Sequence, residues 1–156
     1  MALYCKKKRE AAMKDSLAPG LEVFFQYQVP EDRTVPHLLP ESAEFQLMPQ
    51  VLATGFMVGL FEWACIQAVN PHLDWPQEQT VGIDVQLNHT APTPPGLTIT
   101  ITGILVERQG RKLRFQLMAH DGVDKISEGF HDRFVIDAGK FTAKCADKLG
   151  QTPAGG

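Results

Sequence analysis

Residues 51–69 read VLATGFMVGLFEWACIQAV, and this stretch decides how the rest of the chain must fold. Apolar residues fall on every side of a helix drawn through it, which predicts a helix buried on all sides. Glu62 is the only charged residue in the stretch. Burying an unpaired charge is costly, so this carboxylate must be neutralised, find a partner or serve a reaction. Two interpretations stay open: a functional carboxylate in an apolar site, or a structural one hydrogen-bonded to a neighbouring strand or subunit.

The segments on either side of this helix read mostly as β-strands. Before it, apolar residues alternate from Leu21 to Val29, which is typical of a half-buried strand. Four prolines within residues 30–49 exclude a long helix there, although ESAEFQLM at residues 41–48 can form a short one in a rim or lid. After the long helix, four strands joined largely by tight turns are expected within residues 81–89, 97–102, 113–119 and 125–136.

This order of elements predicts an α+β fold whose sheet is an antiparallel meander of about five strands. A single helix that is apolar all round needs a curved sheet around it and something to cover the remainder. Those requirements describe the hotdog fold, in which a curved antiparallel sheet wraps a long central helix. Two such sheets side by side in a homodimer would complete the burial. An open α+β sandwich is the alternative, but it would leave one face of the helix wet.

The composition is that of a soluble protein with one domain. The 156 residues are 44% hydrophobic and 21% charged, with a net charge of −3, which gives no general attraction to nucleic acid or to an anionic membrane. The three scattered cysteines form neither a disulfide framework nor a zinc spacing, so a cytoplasmic location is expected. We expect a flexible basic leader over residues 1–18, the hotdog domain over residues 19–141 and a polar tail over residues 142–156.

The apolar helix is not expected to cross a membrane. It contains Glu62, and Asn70-Pro71 ends it slightly short of the ~20 residues that a span needs. Gly55 and Gly59 do form the small-xxx-small pattern of membrane helix dimers. In a soluble protein the same spacing lets a sheet approach the helix closely, and this is the interpretation that we adopt.

Three residues in and near this helix form a chemically competent set. Thr54 lies in the first turn, Glu62 lies eight residues later, and His89 ends the strand at residues 81–89 with the parity of its apolar face. A hydroxyl, a carboxylate and an imidazole together can activate a nucleophile or a water. Each residue also has a plainer explanation, because Thr54 can cap the helix and a lone histidine is more often structural. Only the combination indicates an active site.

The remaining polar residues do not predict a metal or phosphate site. The APTPPG segment at residues 91–96 lacks the glycines of a phosphate loop. Arg133 has two interpretations, a surface ion pair with its neighbour Asp132 and a contact with a ligand. The possible metal ligands, which fall around a turn and along a strand without a recognisable spacing, are His120, Asp121, Asp124, His131 and Asp132.

Three long segments carry a family resemblance: ATGFMVGLFEWAC (residues 53–65), TVGIDVQLNHTAPTPPGLTI (80–99) and AHDGVDKISEGFHDRFVI (119–136). In this order they resemble the fluoroacetyl-CoA thioesterase-like branch of the hotdog thioesterases, and the resemblance covers about residues 19–141. It implies that Thr54, Glu62 and His89 occupy catalytic positions. It also implies that Gly82 contacts the substrate near the thioester and that Arg133 binds substrate.

Residues 34–49, TVPHLLPESAEFQLMP, resemble the lid region of the same family. The resemblance implies that Phe45 and Met48 contact the substrate. Phe45 is retained, whereas Met48 stands where the fluoroacetyl-specific member carries a phenylalanine. Because methionine is flexible and adaptable, a general short-acyl or aryl-acetyl thioester is a better match to this lid than a sharply fluorine-selective one.

The resemblance implies a homodimeric acyl-CoA thioesterase that hydrolyses a small acyl-CoA thioester to the free acid and CoA, with no metal or organic cofactor. Glu62 would be either the base for a water or the direct nucleophile, and both routes stay open. A hydratase is disfavoured because the helix at residues 51–69 contains no histidine. A non-catalytic acyl-CoA-binding hotdog protein is the alternative from another class, since a fold does not imply a function.

Overall fold

A computed structural model describes residues 13–151 of the chain. The long apolar helix begins at Thr54, three residues later than the sequence pattern indicated. A short 3-10 turn at Glu31–Arg33 precedes two short helices within residues 35–46. A second 3-10 turn at Asn70–His72 follows the long helix. The elements in chain order are β1 (Glu22–Gln28), α1 (Val35–Leu38), α2 (Ala43–Gln46), α3 (Thr54–Val69), β2 (Glu78–Leu87), β3 (Thr98–Gln109), β4 (Lys112–His120), β5 (Lys125–Asp137) and α4 (Ala138–Gly150).

The strands form one antiparallel sheet in the order β1-β3-β4-β5-β2. Strands β3, β4 and β5 are consecutive neighbours, as a meander requires, but β2 pairs with β5 at the far edge. The chain therefore crosses from β2 to β3 through residues 88–97, whose three prolines cannot join a ladder. Because the sheet curls around α3, the predicted hotdog fold is confirmed.

One face of α3 fills the concave side of this sheet. Phe61 and Cys65 are fully buried there, and Met57 and Ala64 are nearly so. The strand residues opposite them alternate along each strand, because successive side chains point to opposite faces. The buried apolar strand residues of this core are Val23, Phe25, Ile99, Ile101, Leu105, Leu113, Phe115, Leu117, Ala119, Ile126 and Val135.

The opposite face of α3 is open in the single chain. Gly55, Gly59 and Trp63 are exposed, and the side chain of Glu62 is 40% exposed. The sheet of the single chain covers one side of α3 only, and the burial of the other side by a second copy stays a prediction. Over residues 13–151, no helix combines the length and hydrophobicity that crossing a bilayer requires.

A β-bulge interrupts the edge strand β2. Gly82 lies opposite Arg133 and Asp84 lies opposite Asp132, so Ile83 is an extra residue without a counterpart on β5. Because side chains alternate between the two faces of a strand, an extra residue moves every later side chain to the opposite face of the sheet. The regular alternation expected for residues 81–89 is therefore broken, and Gly82 faces the inner side of the sheet with Arg133.

Residues 13–18 pack on the fold, in contrast to the expected flexible leader. Leu17 is fully buried in the core, and its carbonyl oxygen accepts a hydrogen bond from the Arg108 guanidinium. The backbone N–H of Lys14 donates to the carbonyl oxygen of His72 at 3.1 Å. An apolar side chain that completes the core accounts for this ordering. Residues 1–12 of the expected leader lie outside the described residues.

The expected polar tail begins as a helix. Strand β5 runs directly into α4, and the side chain of Asp137 caps this helix by accepting the Lys140 backbone N–H at 2.9 Å. Alanine and lysine, which recur along α4, have high helix propensity, so a polar sequence here is compatible with a surface helix. Residues 152–156 lie outside the described residues.

Candidate active site

Thr54 and His89 meet at the N-terminal end of α3. The hydroxyl oxygen Oγ1 of Thr54 lies 2.8 Å from Nδ1 of His89, which follows the end of β2. The residue at the capping position is Ala53, and Thr54 is the first residue of the helix. The hydroxyl therefore contacts the imidazole instead of capping the helix. Two of the three residues in the predicted catalytic set are thus in contact.

The imidazole of His89 favours its neutral form. Burial lowers its pKa, and the nearby backbone of Ala91 opposes this effect only in part. The second ring nitrogen, Nε2, is buried and has no hydrogen-bond partner among residues 13–151. A buried polar atom of this kind is unusual.

Glu62 lies apart from this pair, about two helical turns further along α3. Eight residues at a rise of 1.5 Å each separate Thr54 and Glu62 by about 12 Å along the helix axis. The carboxylate of Glu62 instead lies beside Arg133, with Oε1 3.5 Å from Nη1 of the guanidinium. A single chain therefore does not bring the third predicted catalytic residue to the other two.

Gly82 faces this carboxylate from β2. A methyl group added to its α-carbon would collide with Oε1 of Glu62 and would lie 3.1 Å from Cε1 of His131. The carboxylate occupies its present place because position 82 has no side chain. The sequence pattern alone did not indicate this contact, and Gly82 entered the predicted site only through the family resemblance.

Arg133 is held by protein groups. It is 2% exposed, and its guanidinium donates from Nε to the Thr80 hydroxyl at 2.9 Å and from Nη2 to the Thr80 carbonyl oxygen at 2.7 Å. Nη1 lies 3.0 Å from Nε2 of His131 and also faces Glu62. In the single chain this guanidinium supports Glu62, and the substrate contact that the resemblance implies for Arg133 stays a prediction.

Cys65 adjoins this charged group but is not a nucleophile. Its thiol is fully buried, and burial raises its pKa to about 12, against the opposing effect of Arg133. The thiolate is the reactive form of cysteine, so this thiol stays protonated and unreactive near neutral pH. It packs between α3 and the sheet.

The lid segment is anchored at one end and open at the other. Leu38, the last residue of α1, packs so closely on Gly55 of α3 that its Cδ2 would lie 2.9 Å from an added methyl group. Helix α2 is capped by Ser42, whose hydroxyl accepts the Phe45 backbone N–H at 3.1 Å. Phe45 is half-buried, and Met48 is 49% exposed. The substrate contacts expected of these two residues stay predictions.

Two polar residues of this site, Thr80 and His131, were not among the predicted site residues. The alternation of His131, Arg133 and Val135 along β5 was a usable signal, because it directs all three side chains to one face. No signal pointed to Thr80, since its contact depends on the register of β2 against β5. The sequence presents His131 only as a possible metal ligand, and no cluster suited to a metal is found within residues 13–151.

A protein family and a known protein that match this chain name the same activity. Residues 30–139 match the profile of the fluoroacetyl-CoA-specific thioesterase family. Over 143 residues the chain is 50% identical to the fluoroacetyl-CoA thioesterase of Streptantibioticus cattleyicolor, an alignment that covers 92% of this chain and all of that protein.

Solved structures agree with the sequence comparison. A structure of a fluoroacetyl-CoA thioesterase is 47% identical with a TM-score of 0.83, and the match covers 89% of this chain and all of that one. A variant in complex with fluoroacetate and CoA is 49% identical with a TM-score of 0.77, covering 80% and 99%. A thioesterase superfamily member from Thermus thermophilus, 22% identical with a TM-score of 0.74 over 86% and 94%, shares the fold. This chain belongs to the fluoroacetyl-CoA-specific thioesterase family.

Proposed function

We propose that this chain hydrolyses a small acyl-CoA thioester to the free acid and CoA. The observation that carries the proposal is Glu62, a carboxylate on the open face of α3 with the buried Arg133 behind it and Gly82 leaving room beside it. The similar proteins at 47% and 50% identity are fluoroacetyl-CoA thioesterases, and a solved variant holds fluoroacetate and CoA. An acyl-CoA with an acyl group of comparable size is therefore the substrate class that we assign.

Glu62 can attack the thioester by two routes. As a general base it takes a proton from a water, and the water oxygen bonds to the thioester carbonyl carbon. As a nucleophile its own oxygen bonds to that carbon, and water then hydrolyses the resulting anhydride. In both routes the carbon–sulfur bond breaks, and the sulfur leaves as the CoA thiolate and takes up a proton. Both routes need no metal or organic cofactor.

The Thr54–His89 pair supplies the proton transfer. A neutral imidazole can take up a proton and return it near neutral pH, so we assign to His89 the transfer to the leaving sulfur of a proton taken from the attacking water or from solvent. The Thr54 hydroxyl, 2.8 Å from Nδ1, orients the ring or polarises the reacting group. The backbone N–H groups in the first turn of α3 have no partners within the helix, and they suit a developing oxyanion.

We assign the complete site to a homodimer. Two copies of α3 packed antiparallel about Val58 would set Thr54 of one chain opposite Glu62 of the other, because both residues lie four positions from Val58. No described atom lies within 4 Å of a methyl group added to Gly59, so the open face leaves room for a second helix. The unpartnered Nε2 of His89 is consistent with a site that a second chain completes.

The edge of the sheet supports the same assembly. Strand β2 is an edge strand, and its side chains Ile83 and Val85 are 51% and 43% exposed. An edge strand presents unpaired backbone groups that a second strand can pair with, and burying apolar side chains favours association. We therefore expect the two chains to join along β2 and the open face of α3.

Thiol release from a panel of acyl-CoAs tests the proposed reaction. The panel contains acetyl-, fluoroacetyl-, longer alkyl- and phenylacetyl-CoA, and E62Q is compared with wild type and with E22Q, a change at an exposed carboxylate of β1. We expect turnover by wild type and E22Q, and a fall in kcat of about 10²- to 10⁴-fold in E62Q with calorimetric binding retained. Undiminished turnover by E62Q would remove Glu62 from the mechanism. Binding of CoA esters by wild type without any turnover would establish a non-catalytic acyl-CoA-binding protein.

Subunit complementation tests the shared site. A heterodimer with T54V on one chain and E62Q on the other has one doubly changed site and one unchanged site, provided that the sites are shared between chains. We expect it to recover about half of the wild-type turnover per dimer. If each site lies within one chain, every site keeps one defect and turnover does not exceed that of T54V. Sedimentation only as a monomer at micromolar concentration would overturn the dimer itself.

A further inference from the structure

The buried group behind Glu62 contains a histidine that the proposed reaction does not use. His131 is 1% exposed on the inner face of β5, beside the bulge of β2. Both of its ring nitrogens have partners: Nδ1 lies 2.8 Å from the Asp84 carbonyl oxygen, and Nε2 lies 3.0 Å from Nη1 of Arg133. A buried side chain with both nitrogens engaged has a defined ring orientation.

These two partners determine where the imidazole proton lies. An arginine side chain only donates hydrogen bonds, so Nε2 of His131 accepts from Arg133. A carbonyl oxygen only accepts, so Nδ1 carries the proton and donates it to Asp84. A ring with one donor and one acceptor is neutral. Protonation of Nε2 would place a second donor against Arg133 where an acceptor is required.

Burial and the positive charge of Arg133 favour the same neutral ring. Burial lowers the pKa of His131 most, and the positive charge of Arg133 lowers it further. The hydrogen bond to Asp84 and the charges of Glu62 and Asp132 raise the pKa by less, so the net direction is downward. The titratable groups whose charges act on His131 or its arginine partner are Glu62 and Cys65 on α3 and Asp132 and Arg133 on β5.

The orientation of Arg133 depends on this acceptor. Thr80 fixes one side of the guanidinium through Nε and Nη2, and His131 accepts one N–H of Nη1. The donors of a guanidinium lie in one plane at fixed directions. Once these three are engaged, the direction of the remaining N–H of Nη1 is determined, and Nη1 itself lies 3.5 Å from Oε1 of Glu62.

We propose that His131 is a positioning residue, which in its neutral Nδ1–H form holds Arg133 so that one guanidinium N–H is directed at Glu62 and orients that carboxylate. The bulge at Ile83 belongs to this arrangement, because the Asp84 carbonyl that selects the tautomer follows the extra residue directly. Only the kinetic consequence rests on the proposed thioesterase function. The tautomer and the hydrogen bonds do not depend on it.

Two substitutions separate the two hydrogen bonds of the ring. An asparagine amide reaches about as far as Nδ1, so H131N keeps a donor for Asp84 and removes the acceptor for Arg133. A glutamine amide reaches about as far as Nε2, so H131Q keeps the acceptor and removes the donor. If the acceptor positions Arg133, kcat falls by about 10- to 100-fold in H131N with KM nearly unchanged, and H131Q restores most of this loss. Equal kcat in the two variants, or a loss confined to KM, overturns the proposal.

Nitrogen NMR of histidine-labelled wild type gives a second readout that requires no turnover. Two-bond proton–nitrogen correlations distinguish the ring tautomers, and the signal lost in H131Q identifies His131. We expect the Nδ1–H tautomer to persist at about pH 6, where an ordinary histidine is largely protonated. An Nε2–H tautomer, or titration at the ordinary pH, overturns the proposal even if thioesterase activity is established. Absence of turnover with the expected tautomer would instead overturn the proposed function alone.

A folding control keeps the kinetic test decisive. Circular dichroism and thermal unfolding establish whether H131N is folded. Should it fail to fold, H131Q still decides, because a fall of about 100-fold in its kcat would show that an acceptor at this place is not sufficient to position Arg133.

Discussion

The two polar regions along α3 are held in different ways. At the N-terminal end, the Thr54–His89 pair consists of one hydrogen bond of 2.8 Å between two uncharged groups near the surface. About two turns later, a charged network links α3 to β2 and β5, and its arginine and histidine are 2% exposed or less. The members of this Glu62 network are Glu62, Thr80, His131 and Arg133.

The difference between the regions follows from burial. A buried guanidinium is costly unless its donors find acceptors, so the Glu62 network must be nearly complete to be stable. A hydrogen-bonded pair close to water has no such requirement, because solvent can replace a lost partner. A substitution in the network should therefore disturb its other members, whereas a substitution in the pair should stay local.

The largest effect is expected from the substitution G82A, which adds a methyl group beside the Glu62 network. In G82A the added carbon would collide with Oε1 of Glu62 and crowd His131, so the carboxylate must move. We expect kcat for acyl-CoA hydrolysis to fall about 100-fold, as for a misplacement of about 1 Å, and the melting temperature to fall with it. G150A, where the added carbon meets no described atom within 4 Å, is the matched control and should change neither quantity. Wild-type kinetics in G82A would show that Glu62 does not need its present position.

A smaller and more local effect is expected at Thr54. T54V keeps the branched shape of the side chain and removes the hydrogen bond with His89. We expect kcat to fall about tenfold, the worth of one hydrogen bond, with the melting temperature and the His131 tautomer unchanged. T54S retains the hydroxyl and should retain most of the activity. If T54V shifted the NMR signals of His131, the two regions would be coupled and the contrast between them would be lost.

Acid should destabilise the chain through both regions, but unequally. Burial lowers the pKa of His89 and of His131, so near pH 6.5 the unfolded chain binds protons that the folded chain does not. The free energy of unfolding should therefore fall below about pH 6.5, by at most about 1.4 kcal/mol per pH unit for each histidine. His89 is partly exposed, and solvent screening makes its share the smaller one.

Denaturant unfolding at about pH 7 and about pH 5 measures this loss in wild type, H89Q and H131Q. We expect H131Q to remove more of the pH dependence than H89Q does. If the double variant H89Q/H131Q kept the full wild-type dependence of unfolding free energy on pH, the acid sensitivity would belong to other groups.

The smallest effect is expected in the lid, which belongs to neither region. Met48 is 49% exposed, and M48F replaces a flexible side chain by a rigid ring. We expect the ratio of kcat/KM for phenylacetyl-CoA to that for acetyl-CoA to fall a few-fold, within the range for changes of about one methylene in a pocket. L47F alters the neighbouring side chain, which is 89% exposed, and should leave the ratio unchanged. An equal shift in both variants would mean that Met48 does not contact the acyl group.

The periodicity of apolar residues in the sequence was sufficient to predict the fold and the Thr54–His89 pair. The apolar run at residues 51–69 predicted the helix and the curled sheet. Thr54 and His89 both lie at the ends of predicted elements, where the apolar pattern locates a residue well. The Glu62 network depends on the register of β2 and on an extra residue at Ile83, and neither has a local signature. The sequence predicted that one sheet would leave part of α3 uncovered, but not which face, because an apolar helix fits burial within one chain and between two chains equally well.

Ile83 limits how this chain can change over evolutionary time. Its side chain is 51% exposed, so packing within the chain constrains its identity only weakly. Its presence is constrained strongly, because deleting it would re-phase the strand between Gly82 and Asp84 and separate the inward glycine from the carbonyl that His131 contacts. Descendants of this sequence should therefore keep the length of β2 constant, while position 83 varies only among the apolar side chains that the interface proposed along β2 would bury.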